Sequence, residues 1–325
     1  MRRLKIFTWH IHGNYLWYLS QVRHDIYIPL APGRPGYGGR GKTFPFGDNV
    51  HDVPADEVRN CQFDCILFQH RQNWEVDQFE TLSDEQRRLP RIYLEHDPPL
   101  EHPTEQSHWC DDPEVLLVHV TPFNQLMWDS GRTPNRVIDH GVLIPPGIRY
   151  TGEIERGIVV INHLGSRGRR LSPDVFLRAR EAVPLDLVGM AAEELGGIGE
   201  VQPTELAAFE SRYRFFFNPI RYTSLGLAVC EAMTLGMPIV GLATTEMSTA
   251  VQNGISGFVD TSLDKLIPPM QELLRDPREA RRLGDGARRY ALERFDIRRF
   301  TRDWEAAFAD VTGRLAAPRL AAAIG

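Results

Sequence analysis

Between Tyr213 and Val259 the chain crowds strand, turn and helix signals into one stretch, and few folds accommodate that order. Phe215, Phe216 and Phe217, followed by Asn218 and Pro219, form an apolar run without alternation, as expected of a strand buried on both faces of a parallel sheet. IRYTSLG (220–226) turns the chain and places Thr223, Ser224 and Gly226 where a helix should begin, hydroxyl side chains being good N-caps. LAVCEAMTL (227–235) carries the helix, and Gly236 and Pro238 stop it. PIVGLA (238–243) returns as a strand, and the glycines of NGISGF (253–258) turn the chain again. A strand whose next loop feeds a helix N-terminus is a ready anion site, because the first N–H groups lack intrahelical acceptors. Glu231 follows Ser224 by seven residues, about two helical turns, so a helix through both sets them on one face. A carboxylate so placed accepts hydrogen bonds from sugar hydroxyls. The stretch therefore reads as a site for a nucleotide or nucleotide-sugar.

The rest of the chain extends the pattern. Short apolar runs at 4–9, 25–30, 63–68, 91–95, 115–120, 136–138, 158–162 and 185–190 alternate with helical spacing. Such alternation is the mark of an α/β fold with doubly wound parallel sheets. A length of 325 residues suits two domains of about 150 residues each. The expected division is 1–150, 151–300 and a C-terminal helix with its tail over 301–325, DHGVLIPPGIRYTGEIERG (139–157) serving as the linker.

Composition excludes several classes. A net charge of −6 gives no footing for nucleic-acid binding. No apolar run approaches the roughly 20 residues of a membrane span, and MRRLKIFTWH is expected to be a first strand rather than a signal peptide. Cys61, Cys65, Cys110 and Cys230 are scattered without a CxxC pair, so a reduced, cytoplasmic setting is expected.

CEAMTLGMPIVG and NGISGFV (within 230–259) resemble the donor-binding signature of glycosyltransferase family 4, a group of GT-B glycosyltransferases. In that pattern a first Glu is followed eight positions on by a second, and the second falls at Glu231 while the first falls at Thr223. The resemblance implies a GT-B architecture of two Rossmann-like domains facing a cleft. It implies transfer of a sugar from a UDP- or GDP-linked donor to a sugar, lipid-linked or other hydroxyl acceptor, with retention and without a metal or other cofactor. Glu231 would bind the ribose hydroxyls, and Ser224, Leu225 and Gly226 would cradle the diphosphate. Thr223 would stand at the sugar in place of a carboxylate. Arg167 and Arg170, in the Gly-bearing loop after the strand at 158–162, would neutralise the diphosphate, arginine being suited to bidentate phosphate contact. Backbone around Gly199 and Val201 would flank the base. His96, at the carboxyl end of the strand 91–95, would orient the transferred sugar or the acceptor, and Gly13 would let backbone approach the ligand. Thr223 also motivates a different class, a nucleotide-sugar-binding protein without catalysis, and a GT-B epimerase or phosphorylase shares the same fold.

Other features carry plainer readings beside sharper ones. PGRPGYGGRGKTFPFGDN (32–49) is a long Gly- and Pro-rich loop, either a surface loop or an acceptor-side flap. His96, His102, His108, Cys110 and His119 fit no metal spacing, and Asp111-Asp112 reads as a turn. The last 60 residues are expected to be helical, broken near Pro268-Pro269 and Gly284–Gly286, and to end in a frayed tail. Ten arginines between Arg275 and Arg302 interleave with acids, as on a solvated face, with contact to an anionic membrane surface as the alternative.

Overall fold

A computed structural model describes residues 2–316; the last nine residues of the expected tail lie outside the described ones. The chain divides into two compact units. Unit 1 holds residues up to 120, 124–138 and those from 298 onward, and unit 2 holds 121–123 and 139–297.

In unit 1 the strands are β1 (Lys5–Thr8), β2 (Asp25–Leu30), β3 (Val50–Pro54), β4 (Cys65–Phe68), β5 (Arg91–Glu95), β6 (Val115–His119) and β7 (Asn135–Val137). They form one sheet in the order β3-β2-β1-β4-β5-β6-β7, and every pair is parallel. Helices α1 (Gly13–Leu19), α2 (Gln78–Thr81) and α3 (Pro122–Met127) belong to this part of the chain. The core is aromatic: Phe7, Trp9, Phe68 and Tyr93 are fully buried together. β3 was not expected. It is an edge strand paired only with β2, so its polar residues His51 and Asp52 conceal it in the sequence.

Unit 2 contains β8 (Ile154–Val160), α4 (Pro173–Ala182), β9 (Leu185–Val188), α5 (Pro203–Glu210), β10 (Tyr213–Asn218), α6 (Leu227–Leu235), β11 (Ile239–Leu242), α7 (Met247–Ala250), β12 (Gly257–Asp260), α8 (Leu263–Arg275) and α9 (Pro277–Arg294). Its sheet runs β12-β11-β10-β8-β9, again wholly parallel. The strand order predicted for 213–259 is present, with the short α7 added inside its last loop. β8 begins at Ile154, inside the expected linker, because Ile154 already pairs with Tyr213.

Two expected helix breaks do not exist. α8 runs through Pro268 and Pro269, with Leu263, Leu266, Met270 and Leu273 forming a buried stripe on one side. That burial outweighs the backbone bonds the prolines cannot donate. α9 likewise runs through Gly284 and Gly286. A Cβ on Gly284 would lie 2.0 Å from the Gly236 carbonyl oxygen, and one on Gly286 1.9 Å from that of Ile255. These glycines admit close backbone packing, and they do not interrupt the helix. The last helix, α10 (Ile297–Ala316), packs in unit 1 through Trp304, whose Nε1 donates to the Tyr15 hydroxyl at 3.1 Å.

Candidate functional site

In an open parallel sheet, ligands bind beyond the carboxyl ends of the strands, where the strand order changes direction. In unit 2 that point lies between β8 and β10, since β9 flanks β8 on the far side. The loops after β8 and β10 therefore frame the site, and they are lashed together. The Arg170 carbonyl accepts from the backbone N–H groups of Arg221 (3.1 Å) and Tyr222 (3.2 Å). The Arg221 guanidinium grips Asp174, at the start of α4, with two bonds of 2.6 Å, and a third reaches the Arg169 carbonyl at 3.1 Å. The hydrogen bond from Arg221 holds the Asp174 carboxyl down at about 2. The half-buried Arg170 thus has its carbonyl beside the loop that continues through Thr223, Ser224, Leu225 and Gly226, while the exposed Arg167 bonds through its N–H to the His163 carbonyl at 3.1 Å.

The second loop is built differently from the sequence expectation. α6 begins after Gly226, which occupies the N-cap with φ −66 and ψ 138, and no side chain caps it. Thr223 and Ser224 sit in the loop, so helical spacing does not relate Ser224 to Glu231. The turn is held instead by buried His140, whose Nε2 donates to the Leu225 carbonyl at 2.8 Å. In a trans peptide the next N–H, that of Gly226, points the opposite way. Glu231 lies in the second turn of α6 and is only 6% exposed. Beside it sits Glu210, the last residue of α5, fully buried and with neither carboxyl oxygen hydrogen-bonded. Burial first, and the charge of Glu231 second, push the Glu210 carboxyl well above its ordinary range.

Gly199 and Val201 follow β9. Gly199 takes φ +105 and bonds through its carbonyl to the Gly189 N–H at 2.9 Å. A Cβ there would meet the Glu193 carboxylate at 2.6 Å, which explains the glycine. A Cβ on Gly165, in the arginine loop, would lie 3.2 Å from the Glu194 carboxylate, which belongs to the turn after β9. The non-glycine residues with left-handed backbone among those described, His163, Ser172, Ala191 and Thr245, all lie in unit 2 loops that follow β8, β9 and β11. Strain of this kind concentrates at ligand sites.

In unit 1 the order reverses between β1 and β4. There Gln69, just past β4, donates from Nε2 to Thr8 Oγ1 (2.8 Å) and to the Trp9 carbonyl (2.9 Å). Its Oε1 therefore faces His96 Nε2 at 3.2 Å, and His96 donates to it. The His96 ring packs against His12 (4.3 Å between centroids) and Tyr15 (4.9 Å). His96 and Gly13 are thus neighbours, both near the head of α1. The space left by the missing Gly13 side chain is not left for a ligand, however. A Cβ would lie 2.3 Å from Phe44 Cε2. The Gly- and Pro-rich loop folds over this turn: His10 Nδ1 donates to the Gly39 carbonyl at 2.6 Å, and Tyr37 is buried with its hydroxyl on Thr81 Oγ1 at 2.6 Å. Behind His96, buried His108 accepts the Cys110 N–H at Nδ1 and so donates from Nε2 to Glu95 Oε2 at 3.1 Å. Burial pushes the Glu95 carboxyl up to about 8, against the donors that favour its anion, and the His108 imidazole down to about 4. Among the described residues no group of His, Cys, Asp or Glu is placed to hold a metal ion, and no helix is long and apolar enough to cross a membrane.

Residues 181–276, wholly within unit 2, match the family of group 1 glycosyl transferases. A comparison with curated protein sequences finds no match. Among solved structures the chain is similar to sucrose-phosphate synthase from Thermosynechococcus elongatus, at 15% identity and a TM-score of 0.69, covering 96% of this chain and 100% of that one. Anabaena HepE in complex with UDP-glucose aligns at 13% identity and a TM-score of 0.69, over 95% and 100% of the two chains. A glycosyltransferase from Rickettsia africae aligns at 11% identity and a TM-score of 0.69, over 96% and 99%. At these identities the likeness establishes the fold: paired parallel α/β sheets of the GT-B glycosyltransferases.

Sequence reasoning missed Gln69, Asp174, Arg221, His140 and Glu210. Each acts through a partner distant in the chain: Arg221 lies 47 positions from Asp174, and Gln69 60 from Trp9.

Proposed function

We propose that the chain transfers a glycosyl group from a nucleoside diphosphate sugar to a hydroxyl acceptor, with the donor diphosphate held by unit 2. The observation that carries this reading is the pair of loops at the unit 2 switch point, locked by Arg221 and Asp174. Further support comes from the Arg170 backbone lying against the second loop, from the N-terminus of α6, which no side chain caps, and from Glu231 one turn into that helix. Arg167, Arg170 and the N–H groups from Thr223 to Gly226 bind the diphosphate, and Glu231 accepts hydrogen bonds from the ribose. Backbone at Gly199 and Val201 flanks the base. UDP is favoured over GDP, because HepE, of similar fold, is known with UDP and with UDP-glucose.

The bond from the anomeric carbon to the phosphate oxygen breaks, and its electron pair leaves with the diphosphate. The fixed positive charge stabilises that departure. The acceptor oxygen bonds to the anomeric carbon, and its proton passes to the departing phosphate on the same face, which gives retention. Arginine and helix-end charge supply what a metal would. His96 orients the sugar or the acceptor. Four free thiols agree with a reducing, cytoplasmic location, and the acceptor is soluble or lipid-linked at the inner membrane face.

A second reading, binding without turnover, rests on one observation: the loop 219–226 contains no carboxylate, Thr223 standing where one is expected. Incubation with UDP- and GDP-sugars, followed by assay of released nucleotide, separates the two. Slow release that acceptors accelerate supports transfer. Tight binding without release under any condition supports the binding protein, and failure to bind any nucleotide sugar defeats both.

A further inference from the structure

The Gly- and Pro-rich segment 32–49 is already anchored without two of its three aromatic side chains. Tyr37 is fully buried, Arg34 lies over its ring at 3.9 Å and binds Asp77 at 2.7 Å, and His10 holds the Gly39 carbonyl. Phe44 and Phe46 remain half-exposed, as does Trp17 on α1, although one edge of Phe44 packs on Gly13. The three rings form a continuous row. Trp17 and Phe44 lie 6.2 Å apart at 25°, Phe44 and Phe46 6.1 Å apart, and Phe46 meets the His10 ring at 6.0 Å. Leaving such rings partly in water forfeits part of the free energy that their full burial would contribute. Polar groups lie close by: the His10 ring against Phe46, exposed His12 next to the Gly13 on which Phe44 packs, and exposed Lys42 two residues before Phe44 in the chain. His12 then packs on His96, at the switch point of this sheet.

We infer that Trp17, Phe44 and Phe46 form a stacking shelf for a pyranose ring, so that the acceptor is a saccharide. This rests on the glycosyl-transfer reading and names its acceptor class. A pyranose has one face of C–H groups and a rim of hydroxyls, which suits the near-parallel Trp17 and Phe44 rings, with Phe46 standing at 61° to Phe44 as a side wall and the His10 imidazole behind it. C–H groups are drawn to the electron-rich face of an aromatic ring, and hydroxyls bond to the polar rim. An alkyl chain would need a continuous apolar groove, and the charged and imidazole rim does not supply one.

The test is saturation-transfer NMR on the full chain with methyl glycosides of glucose, galactose, mannose and N-acetylglucosamine, with glycerol as the control. At least one glycoside should receive transfer, strongest on the ring C–H protons, and glycerol none. Phe46→Ala should reduce that transfer at least fivefold while the stabilisation of the protein by UDP is unchanged, and Phe44→Leu should do the same. Absence of transfer to every glycoside, or transfer indifferent to both substitutions, overturns the shelf. UDP binding is read separately in the same samples, so failure of the donor reading is not confused with failure of this one.

Discussion

The two units share a parallel α/β plan but carry opposite chemistry. All six tryptophans and nine of the eleven histidines fall in unit 1, whereas unit 2 has no tryptophan and frames its site with arginine and acid. Unit 2 fixes its loops by ion pairs and backbone bonds, as suits a diphosphate whose charge is always the same. Unit 1 builds its switch point from stacked rings and imidazoles, as suits a neutral, hydroxyl-rich ligand. The difference also decides which unit responds to pH.

The largest effect should therefore appear in unit 1 on acidification. Burial lowers His108 to about 4 and His119 to about 3, so below pH 6.5 the unfolded chain binds protons that the folded chain does not, and stability falls with pH. Glu95, raised to about 8, works the other way, because from about 4.5 to 8 the folded chain keeps a proton that the unfolded chain has lost. Burial lowers His24 as well, so the histidines together outweigh the one carboxyl and stability falls between pH 6.5 and 4.5. From 6.5 to 8 Glu95 alone acts, so stability should peak near pH 6.5. Denaturant titrations followed by tryptophan emission, which reports unit 1 alone, check this. Emission midpoints that stay level from pH 4.5 to 8 would remove the contrast. In unit 2 the raised Glu210 acts in the same sense as Glu95.

Next in size, Gly284→Ala should destabilise unit 2 by about 2 kcal/mol, since the new methyl would meet the Gly236 carbonyl. A melting curve by far-ultraviolet circular dichroism would show it, and an unchanged curve would mean that α9 can move away from α6. Smaller still is the effect of Arg221→Met. The lash between the two loops would loosen while Arg167 and Arg170 stay, and UDP affinity should fall several-fold. No change in affinity would mean that backbone bonds alone hold the loops.

The same contrast explains what could be read from sequence. In unit 2 the strand, loop, helix and strand of 213–259 are contiguous, so their periodicity and stop residues made the fold legible and set Glu231 on its helix. Even there local rules misjudged Gly284 and Gly286, whose purpose is set by backbone from Gly236 and Ile255, and placed a hydroxyl cap where Gly226 sits. Unit 1 gave up its strands but little of its site. His12, Tyr15, Gln69 and His96 meet only after the sheet has formed, and a glutamine past a strand has no signature of its own. Phe44 and Phe46 lie in a segment whose glycines and prolines say only that it is irregular.

On the proposed reading, unit 2 holds a nucleoside diphosphate through its arginine loop and Glu231. Calorimetric titration of UDP and of GDP into the full chain tests it most directly. Saturable binding of at least one is predicted, weakened at least tenfold in Glu231→Ala, about 1.4 kcal/mol, the worth of one charge-assisted hydrogen bond. Binding should be unaltered in Phe46→Ala. Failure of both nucleotides to bind, or equal affinity with and without the Glu231 carboxylate, would contradict it.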